Sequence, residues 1–258
     1  MRIVVVGGGV MGSTLLGGFV RNGYDDVSVV EKFDERAQAL AELGFRIVDT
    51  TSDADVIVLA VKPQDMVATV QDLDVKPGAL VISIAAGIST TTLESLLDGV
   101  SVVRAMPNTP SQLGLGMTAI SAGTHCTDED LAVAEALLAT VGVVVRVPEA
   151  QQDAVTATSG SGPAYVFYLA EAMRDGAIAL GLAQDVASTL VQQTLLGAAT
   201  LLAESEVDAT ELRRRVTSPG GTTQAAIEVF DARSVKDVVA AAMAAAAARG
   251  KELSGGKT

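Results

Sequence analysis

The opening twelve residues, MRIVVVGGGVMG (Met1–Gly12), decide how the rest of the chain is read. RIVVV, Arg2 to Val6, is a β-branched run of the kind buried on both faces of a parallel sheet. Gly7, Gly9 and Gly12 follow as G-x-G-x-x-G, STLLGGFVRNG carries apolar residues at helical spacing, and a second β-branched run, VSVV, leads to Glu31. Strand, glycine turn, helix and strand, with an acid nineteen residues past the third glycine, match the fingerprint of a dinucleotide-binding βαβ unit. In such a unit Gly7 permits the tight turn, Gly9 lets backbone approach a pyrophosphate, and Gly12 lets helix and strand pack closely. Val10 and Met11 then open a helix whose free N–H groups face the phosphates. Glycines that served only a tight turn would leave the acid unexplained.

Working outward, strand-like runs recur as FRIV, DVIVLAV, ALVISIA, VSVVRAM, MTAIS and VVVRV. Helical patterns such as DERAQALAEL and DEDLAVAEALLATV lie between several of them, the alternation expected of an α/β, Rossmann-type doubly wound sheet. Ligands of open α/β sheets bind outside the carboxyl ends of strands. The loops Ala60-Val61-Lys62-Pro63, Ala85-Ala86-Gly87 and the RAMPNTP loop holding Asn108 are therefore expected to line the nicotinamide side of a cleft. Plainer readings stand beside this: Pro63 can simply start a helix, and Lys62 can be a solvated charge.

From about Gln151 the strand signal stops and long apolar helical patterns take over, giving expected domains at 1–149 and 150–258. Several of these helices are apolar on more than one face, which suggests an all-α domain burying itself against a second copy of the chain, a homodimer. In SPGGTTQAAIEVF, Ser218 precedes Pro219, Gly220 and Gly221, and Thr222 and Thr223 begin the next helix. Backbone donors and hydroxyls there point one way and can hold a small anion such as a carboxylate. A plain N-cap accounts for one Ser or Thr but not for the double glycine.

Composition narrows the partners. With 18 basic and 31 acidic residues the formal charge is −13, so phosphate backbones and anionic lipid are repelled, and neither nucleic acid nor membrane is an expected partner. No uninterrupted apolar run reaches the roughly 18 to 20 residues of a membrane span, and the opening glycines do not suit a signal peptide, so a cytoplasmic location is expected. One cysteine, Cys126, and one histidine, His125, make too poor a set for a disulfide or a metal site, and none is expected. Both precede Thr127, which with the acids after it looks like a helix N-cap.

The segments GGGVMG, AVKPQ, SIAAGIS, RAMPNTP, TSGSGPAY and LRRRVTSPGGTTQAAIEVFD together resemble the pyrroline-5-carboxylate reductases over essentially the whole chain, the last segment being the most specific. The resemblance implies a Rossmann domain followed by a helical dimerisation domain, with dimers often stacked into a larger ring. It also implies reduction of 1-pyrroline-5-carboxylate to L-proline by NADPH or NADH. By motif, Gly7 to Gly12, Glu31, Lys32, Ala60 to Pro63 and Ala85 to Gly87 should touch the cofactor, with Asn108 near the nicotinamide. Ser218 to Thr223 should hold the substrate carboxylate and ring nitrogen, Thr223 contacting the imine nitrogen. A protonated cyclic imine is already an electrophile and needs orientation more than a strong side-chain acid, in keeping with the hydroxyls and amides on offer. Glu31 is what NAD binding favours, whereas Lys32 and Arg36 offer cations to a 2′-phosphate, and the residues do not choose. Two rivals remain: a β-hydroxyacid dehydrogenase, whose catalytic lysine PAYVFYLAEAMRD lacks, and a silent nucleotide-binding regulator, which leaves the glycine-rich anion loop without a purpose.

Overall fold

A computed structural model describes residues 1–255. Its chain forms two compact units, one of residues 1–163 joined by the stretch from Ala245 onward, the other of Ala164–Ala244. The first unit is built on an eight-stranded sheet: β1 (Ile3–Val6), β2 (Val27–Val30), β3 (Arg46–Ile47), β4 (Val56–Leu59), β5 (Leu80–Ser83), β6 (Ser101–Met106), β7 (Gly116–Ala122) and β8 (Gly142–Arg146). Six fall within the strand-like runs read from the sequence, and β7 and β8 overlap theirs, each beginning one residue earlier at Gly116 and Gly142.

Their order across the sheet is β3-β2-β1-β4-β5-β6-β7-β8. Every pairing is parallel except β6 with β7, where Val103 faces Ala122 and Met106 faces Ala119 in antiparallel register. A 3₁₀ turn over Thr109–Leu113, closed by left-handed Gly114 (φ 74°), turns the chain back for that pairing. The order reverses at β1, with β2 on one side and β4 on the other, which opens a crevice at their carboxyl ends.

Period-two alternation sends successive residues to opposite faces. Ile3, Val5, Val56, Val58 and Ile82 pack with Leu15, Leu16 and Phe19 of α1 (Val10–Arg21), Leu40 of α2 (Asp34–Glu42), and Leu137 and Leu138 of α5 (Asp128–Leu138). Val4, Val6, Ile57, Leu59 and Val81 form the other layer with Met66 and Val70 of α3 (Met66–Gln71) and Leu93 of α4 (Thr90–Leu96). Each such fully buried side chain contributes about 1.5–3 kcal/mol, so the central strands are the most firmly held part of this unit. Thr127 does cap α5, its hydroxyl accepting from Asp130 N while the Asp130 carboxylate accepts from Thr127 N, a reciprocal capping box. The chain then passes through α6 (Gln152–Val155) and a π-helical turn over Thr156–Gly160.

The second unit is helical: most of α7 (Gly162–Ala179), α8 (Gln184–Glu204), α9 (Ala209–Arg215), α10 (Thr222–Ala232) and the first half of α11 (Val235–Gly255). In the single chain Phe167, Tyr168, Leu190, Leu196, Leu201, Val229 and Val238 are all exposed. Single exposed apolar residues are ordinary, but so many on consecutive helices mark surfaces made for burial by a partner. By length and composition α8 is long and apolar enough to cross a membrane, although Gln192 and Gln193 interrupt its apolar run.

Candidate active site

The crevice is shaped by the glycine turn. Gly7 has φ 99°, and a Cβ there would lie 2.8 Å from the carbonyl oxygen of Ala60, so only glycine makes the turn. A Cβ on Gly12 would lie 2.0 Å from the Gly7 oxygen and 3.2 Å from Ala60 Cβ, which is the close approach of helix to strand. Gly9 differs from both: no atom lies within 4 Å of its missing Cβ, and it precedes α1 with no side-chain cap. The first N–H groups of α1 are thus left to an external acceptor.

Gly8, a position the motif leaves open, turns out to be constrained. A Cβ there would sit 2.2 Å from Leu40 Cδ1 and 3.3 Å from Glu31 Oε2. Gly8 N donates to Glu31 Oε2 at 2.9 Å, Phe33 N donates to Oε1 at 2.9 Å, and Arg36 Nη1 donates to Oε2 at 3.0 Å. The Glu31 side chain is only 2% exposed. Burial pushes its carboxyl up, but the Phe33 and Gly8 amides and the Arg36 guanidinium outweigh that and leave it below the ordinary range, hence ionised.

Beside it opens a cleft of about 470 Å³ lined by Gly7, Gly9, Glu31, Lys32, Ala60, Val61 and Lys62, with Phe33, Arg36, Thr50 and Asp65 also on its walls. Seven of the residues expected at a cofactor therefore share one cavity. The dimensions, the open Gly9 backbone and the free helix N-terminus fit a dinucleotide. Phe33 had no signal of its own in the sequence, since an aromatic one residue after a charged loop is as often a surface residue.

Other expected positions lie outside the walls of this cleft. Val10 and Met11 begin α1, and Pro63 starts a 3₁₀ turn over Pro63–Asp65. Ala85, Ala86 and Gly87 follow β5; Ala85 is buried, and Gly87 (φ 74°) packs against Leu253, a Cβ there lying 3.2 Å from Leu253 Cβ. Asn108 follows β6, its Oδ1 accepting Met117 N at 2.9 Å and its Nδ2 donating to Ser159 O in the π-turn at 3.0 Å. Also on β6, Arg104 is 3% exposed and bonds Glu149, a pair that no local sequence pattern marks.

The second unit carries Ser218–Thr223. Gly220 has φ 70°, Gly221 N donates to Ser218 O at 3.0 Å, and Gly220 N donates to Gln224 Oε1 at 2.8 Å, so a tight left-handed bend delivers the chain into α10. The N-cap is Gly221, with no side-chain cap bond. Among the described residues the hydroxyls of Ser218, Thr222 and Thr223 have no hydrogen-bond partner within the chain. These hydroxyls therefore do not act as caps, which leaves them free for a ligand.

Comparison with known proteins adds to this geometry. Residues 149–253 match the family described as pyrroline-5-carboxylate reductase dimerisation, and residues 2–87 match the family described as NADP oxidoreductase coenzyme F420-dependent. A pyrroline-5-carboxylate reductase of Pseudomonas aeruginosa is 43% identical, covering 98% of this chain and 96% of its own. Among solved structures, a pyrroline-5-carboxylate reductase from Coxiella burnetii superposes with a TM-score of 0.92 at 37% identity, over 100% of this chain and 99% of that one. A Plasmodium falciparum pyrroline carboxylate reductase with NADP bound gives 0.85 at 25% identity, over 98% of each. With a sheet crevice built for a dinucleotide, a free-hydroxyl bend before α10 and relatives matched end to end, the chain belongs to the pyrroline-5-carboxylate reductase family.

Proposed function

We propose that this protein reduces 1-pyrroline-5-carboxylate to L-proline with NADPH or NADH, the final step of proline biosynthesis. The observation that carries the reading is the Ser218–Thr223 bend, whose three hydroxyls and whose Thr222 and Thr223 amides are unspent, within a chain matched over 98% of its length by a reductase of that name. When bound, the nicotinamide supplies the hydride. Gly7, Gly9 and the start of α1 hold the pyrophosphate, with Val10, Met11 and Gly12 shaping that start, while Ala60 to Pro63, Ala85 to Gly87 and Asn108 frame the nicotinamide end. Gly220, Gly221 and the Ser218, Thr222 and Thr223 hydroxyls hold the substrate carboxylate. Thr223 bonds the imine nitrogen, orienting a carbon that is already electrophilic once the nitrogen is protonated.

In this reading residues 1–149 serve the cofactor and 150–258 the substrate and the subunit contact. The chain pairs with itself through the apolar helices of the second unit, and dimers assemble into a larger ring. The acidic surface and the glutamines interrupting α8 support a cytoplasmic enzyme with neither membrane nor nucleic acid as partner.

The test is loss of reduced-nucleotide absorbance with purified protein and pyrroline-5-carboxylate. Turnover is expected with the imine and none with 3-hydroxyacid or keto-acid pairs; the reverse pattern would move the protein to the hydroxyacid dehydrogenases. Thr223→Ala should lower turnover while nucleotide affinity stays nearly unchanged, and an equal loss in nucleotide binding would displace Thr223 from its assigned place.

A further inference from the structure

We propose that Glu31 braces the glycine turn rather than reading the ribose, and that Lys32 and Arg36, standing on Phe33, select a nucleotide carrying a 2′-phosphate. This deepens the cofactor part of the proposed function and rests on it.

A ribose-reading carboxylate must present free oxygen to the cleft. Glu31 borders the cleft, but its side chain is only 2% exposed and both oxygens already accept bonds from its own loops. The donors come from two separate segments, Gly8 in the first βα turn and Phe33 after β2, so the carboxylate clasps the turn to the neighbouring strand end. Gly8 is glycine because a Cβ would strike Leu40 and press on the Glu31 oxygen. A ribose diol would meet a carboxylate whose oxygens already accept three bonds, one of them from the Arg36 guanidinium, so its charge is largely spent within the protein.

The cations face outward instead. Lys32 is 65% exposed, and Arg36 is 46% exposed with only Nη1 committed to Glu31. Lys32 Nζ lies 5.2 Å and Arg36 Cζ 5.0 Å from the centroid of the half-exposed Phe33 ring, which holds both on the cleft wall. The opposing charges are Glu31, neutralised by Arg36; Asp65, 4.0 Å from Lys32; Asp49, Asp72 and Asp74, also on the cleft walls; and Asp34 and Glu35 at the start of α2. An exposed pair as long as Lys32–Asp65 is worth little and yields readily to a phosphate dianion. Guanidinium and ammonium together then offer a 2′-phosphate several charge-assisted bonds, whereas a neutral 2′-hydroxyl draws far less from two cations.

The test measures binding to the full-length protein by calorimetry, without imine, using 2′,5′-ADP, 5′-ADP, NADPH and NADH as probes. We expect the 2′-phosphorylated member of each pair to bind about tenfold tighter or more. Lys32→Ala, and separately Arg36→Gln, should each erode that ratio while 5′-ADP affinity stays within about threefold. Glu31→Gln should weaken all four probes by a common factor of about five to ten and leave the ratio standing. A wild-type protein that binds 5′-ADP as tightly as 2′,5′-ADP, or a Glu31→Gln variant that loses 5′-ADP and NADH selectively, would overturn the proposal. Because no imine is present, absence of pyrroline-5-carboxylate turnover alongside a retained 2′-phosphate preference would sink the reaction and spare this inference.

Discussion

The side chain of Asn108 joins two parts of the sheet unit: its amide donates to the carbonyl of Ser159 at 3.0 Å, and its oxygen accepts Met117 N at 2.9 Å. Ser159 lies in the π-turn, where wider helical winding leaves carbonyls to be satisfied from elsewhere. Gly160 allows this turn to press on β6, since a Cβ there would come 2.6 Å from Met106 Cε. Asn108→Asp keeps the acceptor for Met117 but removes the donor to Ser159. It should cost about 1–3 kcal/mol in urea unfolding, and Asn108→Ala should cost more. Equal stability of the wild type and both variants would show that the bracket carries no load.

Arg104 and Glu149 form the most buried ion pair of the described residues, at 2.8 Å, with Thr90 N donating to the same Glu149 oxygen at 3.2 Å. Removing the acid strands a guanidinium inside the sheet. Glu149→Ala should therefore destabilise by about 2 kcal/mol, short of the 3–5 kcal/mol of a fully enclosed pair because Glu149 keeps some contact with water. A double variant Arg104→Met/Glu149→Leu should recover much of the loss, as an apolar pair of similar volume leaves no charge uncompensated. Denaturant midpoints at constant slope provide the measurement.

Gly9 and Gly12 should separate binding from folding. Gly12→Ala forces a methyl group onto the Gly7 carbonyl and should lower the melting temperature sharply along with nucleotide affinity. Gly9→Ala meets nothing in the protein and should leave the melting temperature within a degree or two, roughly, while weakening dinucleotide binding by about tenfold or more. A Gly9→Ala protein that binds nucleotide normally would mean that the backbone there is not approached by the pyrophosphate.

Acid should unfold the chain through a small set of carboxylates held below their ordinary range. Glu211 is lowered to about 2 by Arg214 and Arg215. Asp55 is lowered by Lys76 and the Arg2 amide. In Asp130 burial works upward and is outweighed by Thr127 and Ser101, as in Glu31 by the Phe33 and Gly8 amides and Arg36. Since the folded values lie below the unfolded ones, the unfolded chain binds more protons in this range. The stabilisation is complete above about pH 4–5 and is lost as pH falls through the folded values toward about 2. Asp130→Asn and Glu31→Gln should each flatten the acid limb of a urea-midpoint profile, and an unchanged limb would assign acid unfolding to other groups.

How much of this was legible in the sequence depends on the range of the interaction. The central strands were visible because a strand buried on both faces must be apolar throughout, and even the two-residue β3 and the largely exposed β8 left their traces in FRIV and VVVRV. The α5 cap was legible because Thr127 and Asp130 are three residues apart. The antiparallel turn into β7 was not, because direction depends on how Thr109–Gly114 folds back and not on the strand's own residues. The clasp of Glu31 was hidden for a related reason: the spacing places an acid at the end of β2 whether it faces a ligand or turns inward to Gly8. Arg104 and Glu149 are 45 residues apart, and no local pattern marks a charge inside VSVVRAM as paired.

The segment after Ala245 returns to the sheet unit, where Leu253 rests against Gly87. A ribosome makes that segment only after the whole intervening helical stretch has been synthesised. The Rossmann half therefore completes its packing only after the helical half has been synthesised, and the loop after β5 gains its last neighbour only when the end of α11 emerges. A message broken inside α11 would yield a sheet with every strand present and one wall of that loop missing, Gly87 left without its Leu253 neighbour.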